Sequence, residues 1–169
     1  IINISRSELS YSIIDQIESL EMISNSYGKE LNHIKAHGAL YNQMINDSDL
    51  ANFYLDTIKG YKKKYSLYVP FQSEIEKLAI KRGFDIIYEV FGDRNYNNDL
   101  SLVSRDQKDA IINDPDDVIE HLKTIIDTNT LKTINGNFKK IKFDTICIHS
   151  DTNNSIEILK TINKVFKNR

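Results

Sequence analysis

Short apolar stretches alternate with longer amphipathic stretches along the whole sequence. The apolar stretches predict strands at residues 31–36, 65–69, 84–91 and 143–149, and the amphipathic stretches predict helices at 5–27, 47–58, 72–82, 114–127 and 153–166. Strands that alternate with helices favour right-handed β-α-β units and a parallel sheet. The sequence therefore predicts the α/β fold class, and both a closed barrel and an open sheet fit this pattern.

Local signals mark where some of these elements begin and end. Ser5 and Glu8 form a capping-box pattern at the start of the first helix, and Gly28 suits its carboxyl end. Asn135-Gly136-Asn137 is typical of a hairpin turn. Residues 100–103 are expected to form a short extended piece.

The composition limits the size and the partners of the protein. With 169 residues, 40% of them hydrophobic, the chain can build one core, so we expect a single domain over residues 1–169. The net charge of −2 is spread over interleaved acids and bases, which disfavours nucleic acid and anionic membranes as partners. No apolar run approaches the roughly 18 residues of a membrane span. The single cysteine, Cys147, cannot form an internal disulfide, and a small-molecule ligand in the cytoplasm is the expectation.

Polar side chains collect where the predicted strands end. In α/β folds, functional sites lie at the carboxyl ends of parallel strands. Hydrolysis needs a general base, an acid and a donor for the developing oxyanion, and three of the strand ends supply such groups. The candidates are Lys35, His37, Tyr41 and Asn42 at one strand end, Glu89, Asp93 and Arg94 at a second, and His149 at a third.

Taken singly, such residues also have structural explanations. A histidine at a strand end often caps a carbonyl group, and Asp151 suits the N-cap of the last helix. Whether the protein binds a metal ion stays open. Histidines and carboxylates at strand ends suit a metal site, but no HxH pair stands at a strand end, and His33 and His37 need not face one ligand. Gly38 and Gly92 are isolated, so ATP is not expected to bind through a glycine-rich loop. The joint pattern favours one active site.

Four sequence blocks resemble the LamB/YcsF family, in order and in spacing. Residues 34–42, IKAHGALYN, resemble its signature K-P-H-G-A-L-Y-N, and residues 89–96, EVFGDRNY, resemble E-V-F-A-D-R-x-Y. Residues 102–105, LVSR, and 146–151, ICIHSD, resemble L-V-x-R and I-C-V-H-G-D. The resemblance extends over essentially the whole chain, which on these motifs is identified as a member of the family.

The resemblance implies a fold, a reaction and partners. The implied fold is an irregular (β/α) barrel of the type found in polysaccharide deacetylases, whose chemistry does not transfer with the fold. The implied function is that of the A subunit of an ATP-dependent 5-oxoprolinase. Such an enzyme is a hydrolase that opens a cyclic amide and converts 5-oxoproline (pyroglutamate) to L-glutamate together with the B and C subunits. The complex then consumes ATP, and the transfer of phosphate is expected to take place on one of the partner subunits.

The resemblance and the chemistry of the side chains together assign two kinds of role to the candidate residues. Three residues are expected to be catalytic, and five are expected to bind the substrate. The catalytic residues are His37, as acid or base, and Glu89 and Asp93, as base or water-orienting carboxylates. The substrate-binding residues are Lys35, Tyr41, Asn42, Arg94 and His149, with Lys35 or Arg94 holding the substrate carboxylate or a phosphate.

The sequence also departs from the family pattern. The family's first blocks, D-L-N-x-D-x-G-E, G-F-H-A-G-D and H-P-G-Y/F, are absent, and the chain begins with Ile1 rather than methionine. We therefore interpret the chain as the C-terminal two-thirds of a barrel that lacks its first strands, and we expect it to be inactive in isolation. In two smaller departures, Ala36 replaces a proline of the family and Ser150 replaces a glycine.

Two other functions are left open. One is a noncatalytic scaffold that binds 5-oxoproline, which would bind the ligand without the other two subunits. The other is a metal-dependent hydrolase similar to the carbohydrate deacetylases, which would bind a divalent metal and be sensitive to chelators.

Overall fold

Residues 4–167 are described by a computed structural model and form six α-helices and six β-strands, in two units, Ile1–Ile87 and Tyr88–Arg169. Unit 1 contains α1 (Arg6–Ser26), β1 (His33–Ile34), α2 (Gly38–Gln43), α3 (Ser48–Thr57), a 3-10 turn (Lys59–Tyr61), β2 (Ser66–Val69) and α4 (Glu74–Lys81). Strand β3 (Ile86–Phe91) begins in unit 1 and ends in unit 2, which also contains α5 (Pro115–Thr128), β4 (Thr130–Lys132), β5 (Phe138–Lys140), β6 (Thr145–Cys147) and α6 (Ser155–Phe166). No helix within 4–167 is long and apolar enough to cross a membrane. The single-domain expectation stays a prediction.

Side-chain caps set the starts of helices in unit 1, as the local sequence predicts. The Ser5 hydroxyl accepts the N–H of Glu8 at 3.2 Å, and the Glu8 carboxylate accepts the N–H of Ser5 at 2.9 Å, which confirms the capping box of α1. At α3, Asp47 Oδ1 accepts the N–H of Leu50 at 2.9 Å. Each such cap satisfies an N–H that the helix leaves without a partner and contributes about 1 kcal/mol.

The core of unit 1 is built on a parallel strand pair and on two packed helices. Strand β1 pairs with β2 in a register that places Ile34 opposite Leu67. Because side chains alternate along a strand, Leu67 and Val69 share one face of β2, and both are buried. Helices α3 and α4 pack against each other. Their buried apolar residues include Ala51, Leu55, Ile75 and Ala79.

The sheet of unit 2 places two strand ends side by side. Strand β3 pairs in parallel with β6. Their register places Glu89 opposite Thr145 and Phe91 opposite Cys147. Beyond the end of β3, the N–H of Gly92 donates to the carbonyl oxygen of Cys147 at 2.9 Å. The residues that follow Phe91 and Cys147 therefore leave the sheet at the same edge.

Helix α5 and a hairpin cover much of the core of unit 2. The carboxylate of Asp114 accepts the N–H of Asp116 at 2.8 Å, and Pro115 occupies the first turn of the helix. Strands β4 and β5 are antiparallel and flank Gly136, whose φ of 80° suits glycine, so the predicted hairpin is confirmed. The buried apolar residues of α5, β4 and α6 include Val118, Leu122, Ile125, Leu131 and Ile158.

The structure differs from the sequence predictions at three places. Strand β1 contains only His33–Ile34 of the six residues predicted. Residues Gly38–Gln43 form a short helix where only a turn was expected, because six residues are too few to show a helical period. The expected extended piece at 100–103 is reduced to one bridge between Leu102 and Tyr96. The other predicted helices and strands are confirmed, with ends that shift by a few residues.

Candidate active site

Asp93 and His149 meet at the edge where β3 and β6 end. Each lies two residues beyond its strand, and the register of Phe91 opposite Cys147 brings them to equivalent positions. His149 Nδ1 lies 2.9 Å from Asp93 Oδ1 and 3.1 Å from Oδ2. The backbone N–H of His149 also donates to Asp93 Oδ2, at 2.9 Å. The ring and the backbone of one residue thus hold the same carboxylate.

Thr152 adds a third donor to this carboxylate. Its hydroxyl donates to Asp93 Oδ2 at 2.6 Å, and Asp93 is 0% exposed. Burial raises the pKa of Asp93, but the hydrogen bonds from the His149 ring, the Thr152 hydroxyl and the His149 N–H together outweigh it, so the net pKa lies below the ordinary value. Asp93 is therefore an enclosed, ionised carboxylate at neutral pH.

The His149 ring keeps one nitrogen for chemistry. An ionised carboxylate can only accept hydrogen bonds. We therefore assign the ring hydrogen of the neutral His149 imidazole to Nδ1, the nitrogen that faces Asp93. The ring stacks on Phe91, with centroids 4.8 Å apart and planes 10° from parallel, and its side chain is 23% exposed. Nε2 is consequently the atom that can accept or donate a proton in a fixed direction.

Arg94 is a buried cross-link at this edge. It is 3% exposed, and its guanidinium donates from Nε to the carbonyl oxygen of Ala110 at 3.2 Å and from Nη2 to that of Val103 at 2.6 Å. Burial is the main cause that lowers the pKa of Arg94, and the neighbouring charge of Arg105 adds to it. These bonds tie the segment 103–110 to the end of β3. The expected contact of Arg94 with the substrate stays a prediction.

Asp151, two residues after His149, forms an ion pair with Arg105. Arg105 Nη1 lies 2.6 Å from Asp151 Oδ2, and Nη2 lies 3.4 Å from Oδ1. The hydrogen bond from Arg105 is the main cause that lowers the pKa of Asp151. The residue before α6 is Asn154, with a φ of 62°, so the expectation that Asp151 caps this helix is wrong. Asp151 instead holds an exposed arginine.

Glu89 lies inside β3 and is buried. It stands opposite Thr145, two residues before the strand ends at Phe91. Because side chains alternate along a strand, Glu89 lies on the same face as Phe91, whose ring stacks on His149. The structure thus places Glu89 on the face of β3 that supports the histidine, and its catalytic role stays a prediction.

The other four candidates lie in unit 1: Lys35 and His37 are between β1 and α2, and Tyr41 and Asn42 are within α2. His37 is extended, with φ −127° and ψ 160°, and the φ of 59° at Gly38 turns the chain into the helix. Lys35 Nζ lies 5.8 Å from the centroid of the Tyr41 ring, within the range of a cation–π contact. Tyr41 is buried, whereas His37 and Asn42 are exposed. Their binding and catalytic roles stay predictions.

Three residues that shape the edge of unit 2 were not among the sequence candidates. Thr152 follows His149 by three positions, and a threonine in a polar turn carries no signal of a buried hydrogen bond. Phe91 was assigned only to the strand. Arg105 belongs to the LVSR block, which is the one signal that points to it.

The chain was compared with known families and proteins. Residues 1–169 match the model of the LamB/YcsF family. The chain is 35% identical over 155 residues to the 5-oxoprolinase A subunit from Pyrococcus horikoshii, in a match that covers 92% of the chain and 61% of the relative. It is 32% identical over 167 residues to the 5-oxoprolinase A subunit from Nitrobacter hamburgensis, in a match that covers 99% and 66%. The chain thus spans 61% and 66% of the length of these relatives.

A solved structure shares the fold. The crystal structure of a lactam utilization protein from Thermus thermophilus matches with a TM-score of 0.87 and 24% identity. The match covers 98% of this chain and 66% of that protein. The fold of the chain is therefore that of this structure, and the α/β class predicted from the sequence is confirmed.

Proposed function

The chain belongs to the LamB/YcsF family, and we propose that it acts as the A subunit of an ATP-dependent 5-oxoprolinase. This enzyme opens the ring amide of 5-oxoproline and releases L-glutamate. Relatives at 35% and 32% identity are named as the A subunit of 5-oxoprolinase, and that name implies a complex of several subunits. Within the structure, the observation that supports a hydrolase is the hydrogen-bonded pair of Asp93 and His149.

In this proposal His149, which the sequence predicted as a substrate-binding residue, takes the role of acid and base that was expected for His37. Hydrolysis of an amide requires that a proton leave the attacking water and that a proton reach the departing nitrogen. Nε2 takes the proton from water as the new C–O bond forms. The resulting imidazolium returns that proton to the ring nitrogen of the substrate as the C–N bond breaks. His149 therefore ends the cycle in the state in which it began.

Asp93 acts through His149 and does not touch the substrate. It is 0% exposed, and its carboxylate is surrounded by the His149 ring, the His149 N–H and the Thr152 hydroxyl. A carboxylate in this position orients the imidazole and stabilises the imidazolium that forms when Nε2 accepts a proton. We therefore propose Asp93 as a positioning residue, in place of the base or water-orienting group expected from the sequence.

ATP and the B and C subunits are part of the same proposal. A planar amide resists hydrolysis. Phosphorylation of its oxygen by ATP, with release of ADP, would make the amide carbon more electrophilic toward water. After water adds and the C–N bond breaks, the acyl phosphate that remains would be hydrolysed to the carboxylate of glutamate and inorganic phosphate. We assign the phosphate chemistry to one of the partners, because Gly38 and Gly92 are isolated and do not belong to a phosphate-binding loop. We also propose that the chain by itself is inactive, and that the complex works in the cytoplasm.

The metal-dependent alternative has less support. Across residues 4–167, no group of three or more histidine, cysteine, aspartate or glutamate side chains is arranged to hold a metal ion. The Asp93 carboxylate, which would be a natural metal ligand, is instead surrounded by three hydrogen-bond donors. These contacts suit a carboxylate that orients a histidine.

The proposal is tested by glutamate release from 5-oxoproline. The assay uses the complete translation product that contains this chain, with ATP, in the presence and absence of the B and C subunits. We expect release only when ATP and both partners are present. If a demonstrably assembled complex releases no glutamate, the hydrolase proposal is wrong, and binding of labelled 5-oxoproline would then favour the scaffold function.

A further inference from the structure

The turn that begins at His149 is anchored to Asp93 at both ends. At its start, the ring and the N–H of His149 hydrogen-bond to the Asp93 carboxylate, and at its end the Thr152 hydroxyl donates to the same group. The N–H of Thr152 also donates to the carbonyl oxygen of His149 at 3.3 Å, which closes the turn. Asp151 lies within this turn, so its Cα atom is at most about 7 Å from that of His149.

Arg105 reaches this turn from the segment that Arg94 ties to the end of β3. Its guanidinium faces the Asp151 carboxylate with two nitrogens, Nη1 at 2.6 Å and Nη2 at 3.4 Å. The hydrogen bond to Asp151 is the main cause that raises the pKa of Arg105, and the negative charge of Asp93 contributes as well. Arg105 therefore lies within electrostatic range of the Asp93 carboxylate. Its side chain is 46% exposed, so a ligand can contact it.

The proposed reaction needs a cation close to His149. In 5-oxoproline the carboxylate is attached to the carbon next to the ring nitrogen, and that nitrogen is the atom to which His149 returns a proton. A group that binds the carboxylate must therefore lie near His149 Nε2. A guanidinium is suited to this task, because its planar fork donates two parallel hydrogen bonds to a carboxylate. The contact of Arg105 with Asp151 has this form, with two nitrogens facing two oxygens.

The two arginines of this edge have different partners. The guanidinium of Arg94 is buried and donates from two nitrogens to backbone carbonyl groups. The partner of Arg105 is instead a side chain, that of Asp151, which is 62% exposed. An exposed ion pair is weak, so a substrate carboxylate can replace Asp151 on the guanidinium at little cost.

We infer that Arg105 binds the carboxylate of the substrate and that Asp151 occupies its guanidinium until the substrate arrives. The inference rests on the proposed 5-oxoprolinase function and adds a residue that determines its specificity. Asp151 stands in for the substrate carboxylate and competes with it. A cyclic amide without a carboxylate gains nothing from Arg105, so this residue favours 5-oxoproline over the unsubstituted lactam.

Variants of Arg105 test this contact in the assembled enzyme. The complete translation product that contains this chain is assayed for glutamate release with ATP and both partner subunits. Arg105→Gln should raise KM for 5-oxoproline by about 10- to 100-fold, the range for a lost hydrogen bond to a charged group, and should leave kcat nearly unchanged. Arg105→Lys keeps the charge but loses the fork, so its KM should lie between those of the parent and Arg105→Gln. Arg82→Gln removes an arginine from the ion pair with Asp56 and is the matched control, with an unchanged KM.

Asp151→Asn separates substrate binding from a structural role of the ion pair. Arg105→Gln and Asp151→Asn both remove the pair, but Asp151→Asn leaves the guanidinium available to the substrate. Its KM should therefore fall by about two- to fivefold, the range of an exposed ion pair. A structural role predicts that KM rises in both variants, and that result would overturn the inference.

The same assay distinguishes a failure of this inference from a failure of the proposed function. If the parent complex releases glutamate and Arg105→Gln keeps the parent KM, the inference is wrong and the proposed function stands. If the assembled parent complex releases no glutamate, the proposed function is wrong, and the inference that rests on it is wrong as well.

Discussion

The two units each place a histidine beyond the end of a parallel strand, but they hold it by different means. In unit 2, His149 follows β6, and the buried carboxylate of Asp93 and the stacked ring of Phe91 fix its ring. In unit 1, His37 follows β1 and stands at the start of α2, where the backbone conformation of Gly38 sets the direction of the chain.

This difference shows that a strand end determines where a residue lies, whereas the structure around that end differs from one strand to the next. The contacts of the Asp93 carboxylate are made by side chains and an amide from other parts of the chain. The turn after β1 depends on one residue that tolerates positive φ. We therefore expect side-chain substitutions to have the larger effects in unit 2, and a backbone substitution to be more informative in unit 1.

The largest effect is expected from His149→Gln. Loss of Nε2 as acid and base should lower kcat for glutamate release by the assembled enzyme by about 100- to 10,000-fold. Glutamine can keep a donor near Asp93 but loses the stacked ring, so urea unfolding is measured beside kcat to separate a loss of stability from the loss of catalysis. His33→Gln is the matched control, since the His33 ring also stacks on an aromatic ring, that of Tyr68, with centroids 3.9 Å apart. Equal losses of kcat in the two variants would contradict the role of His149.

Asp93→Asn is expected to lower kcat and to weaken the fold. An asparagine presents an NH₂ group where the carboxylate now accepts a hydrogen, so one buried donor loses its acceptor at a cost of about 1–3 kcal/mol. Urea unfolding at neutral pH measures this cost. The control is Asp116→Asn, at an exposed position. An equal loss of stability in both variants would contradict the claim that the buried hydrogen bonds of Asp93 stabilise the fold.

The same variant makes a prediction about acid. Because the pKa of Asp93 is lowered in the folded state, its ionisation stabilises the fold above the unfolded pKa of about 3.9, and this contribution is lost as the pH falls through the folded pKa. The stability difference between the parent chain and Asp93→Asn should therefore shrink below about pH 4. Urea titrations from pH 7 downward measure it, and a constant difference would contradict an ionised Asp93.

Thr152→Val is expected to have a smaller effect on kcat than the changes at His149 and Asp93. Valine keeps the shape of threonine and removes the hydroxyl that donates to Asp93 at 2.6 Å. A hydrogen bond to a charged group contributes about 1.5–3 kcal/mol, which is the expected loss in the free energy of unfolding. Thr152→Ser keeps the donor and should recover most of it. If serine and valine destabilise equally, packing rather than the hydrogen bond explains the loss.

The smallest effect is expected in unit 1, from Gly38→Ala. A Cβ at the φ of 59° found at Gly38 should destabilise the chain by about 1–2 kcal/mol. Gly60→Ala is the matched control, because the positive-φ glycines do not include Gly60 and a Cβ there meets no atom within 4 Å. Thermal unfolding of both variants is the measurement. Equal effects would show that the turn after β1 does not depend on positive φ.

Much of the fold and part of the site follow from local sequence. The capping box at Ser5 and Glu8 and the hairpin turn around Gly136 act within a few residues, and the structure confirms both. The rule that sites lie at strand ends predicts Asp93 and His149 as site residues, and the structure brings their side chains into contact. The substrate-binding role of Arg94 rests on the family resemblance and stays a prediction; the structure shows its guanidinium donating to two backbone carbonyl groups.

The sequence by itself determined the alternation of strands and helices, the helix caps, and the polar residues beyond the strand ends. These features depend on periodicity and on contacts between residues close in the chain. Only the tertiary structure decided that Asp93 is buried and that its carboxylate is hydrogen-bonded to the His149 ring and to the Thr152 hydroxyl. It also decided that His121 lines a cavity. Those properties depend on pairing between β3 and β6 and on the packing of α5, which join residues far apart in sequence and leave no local pattern.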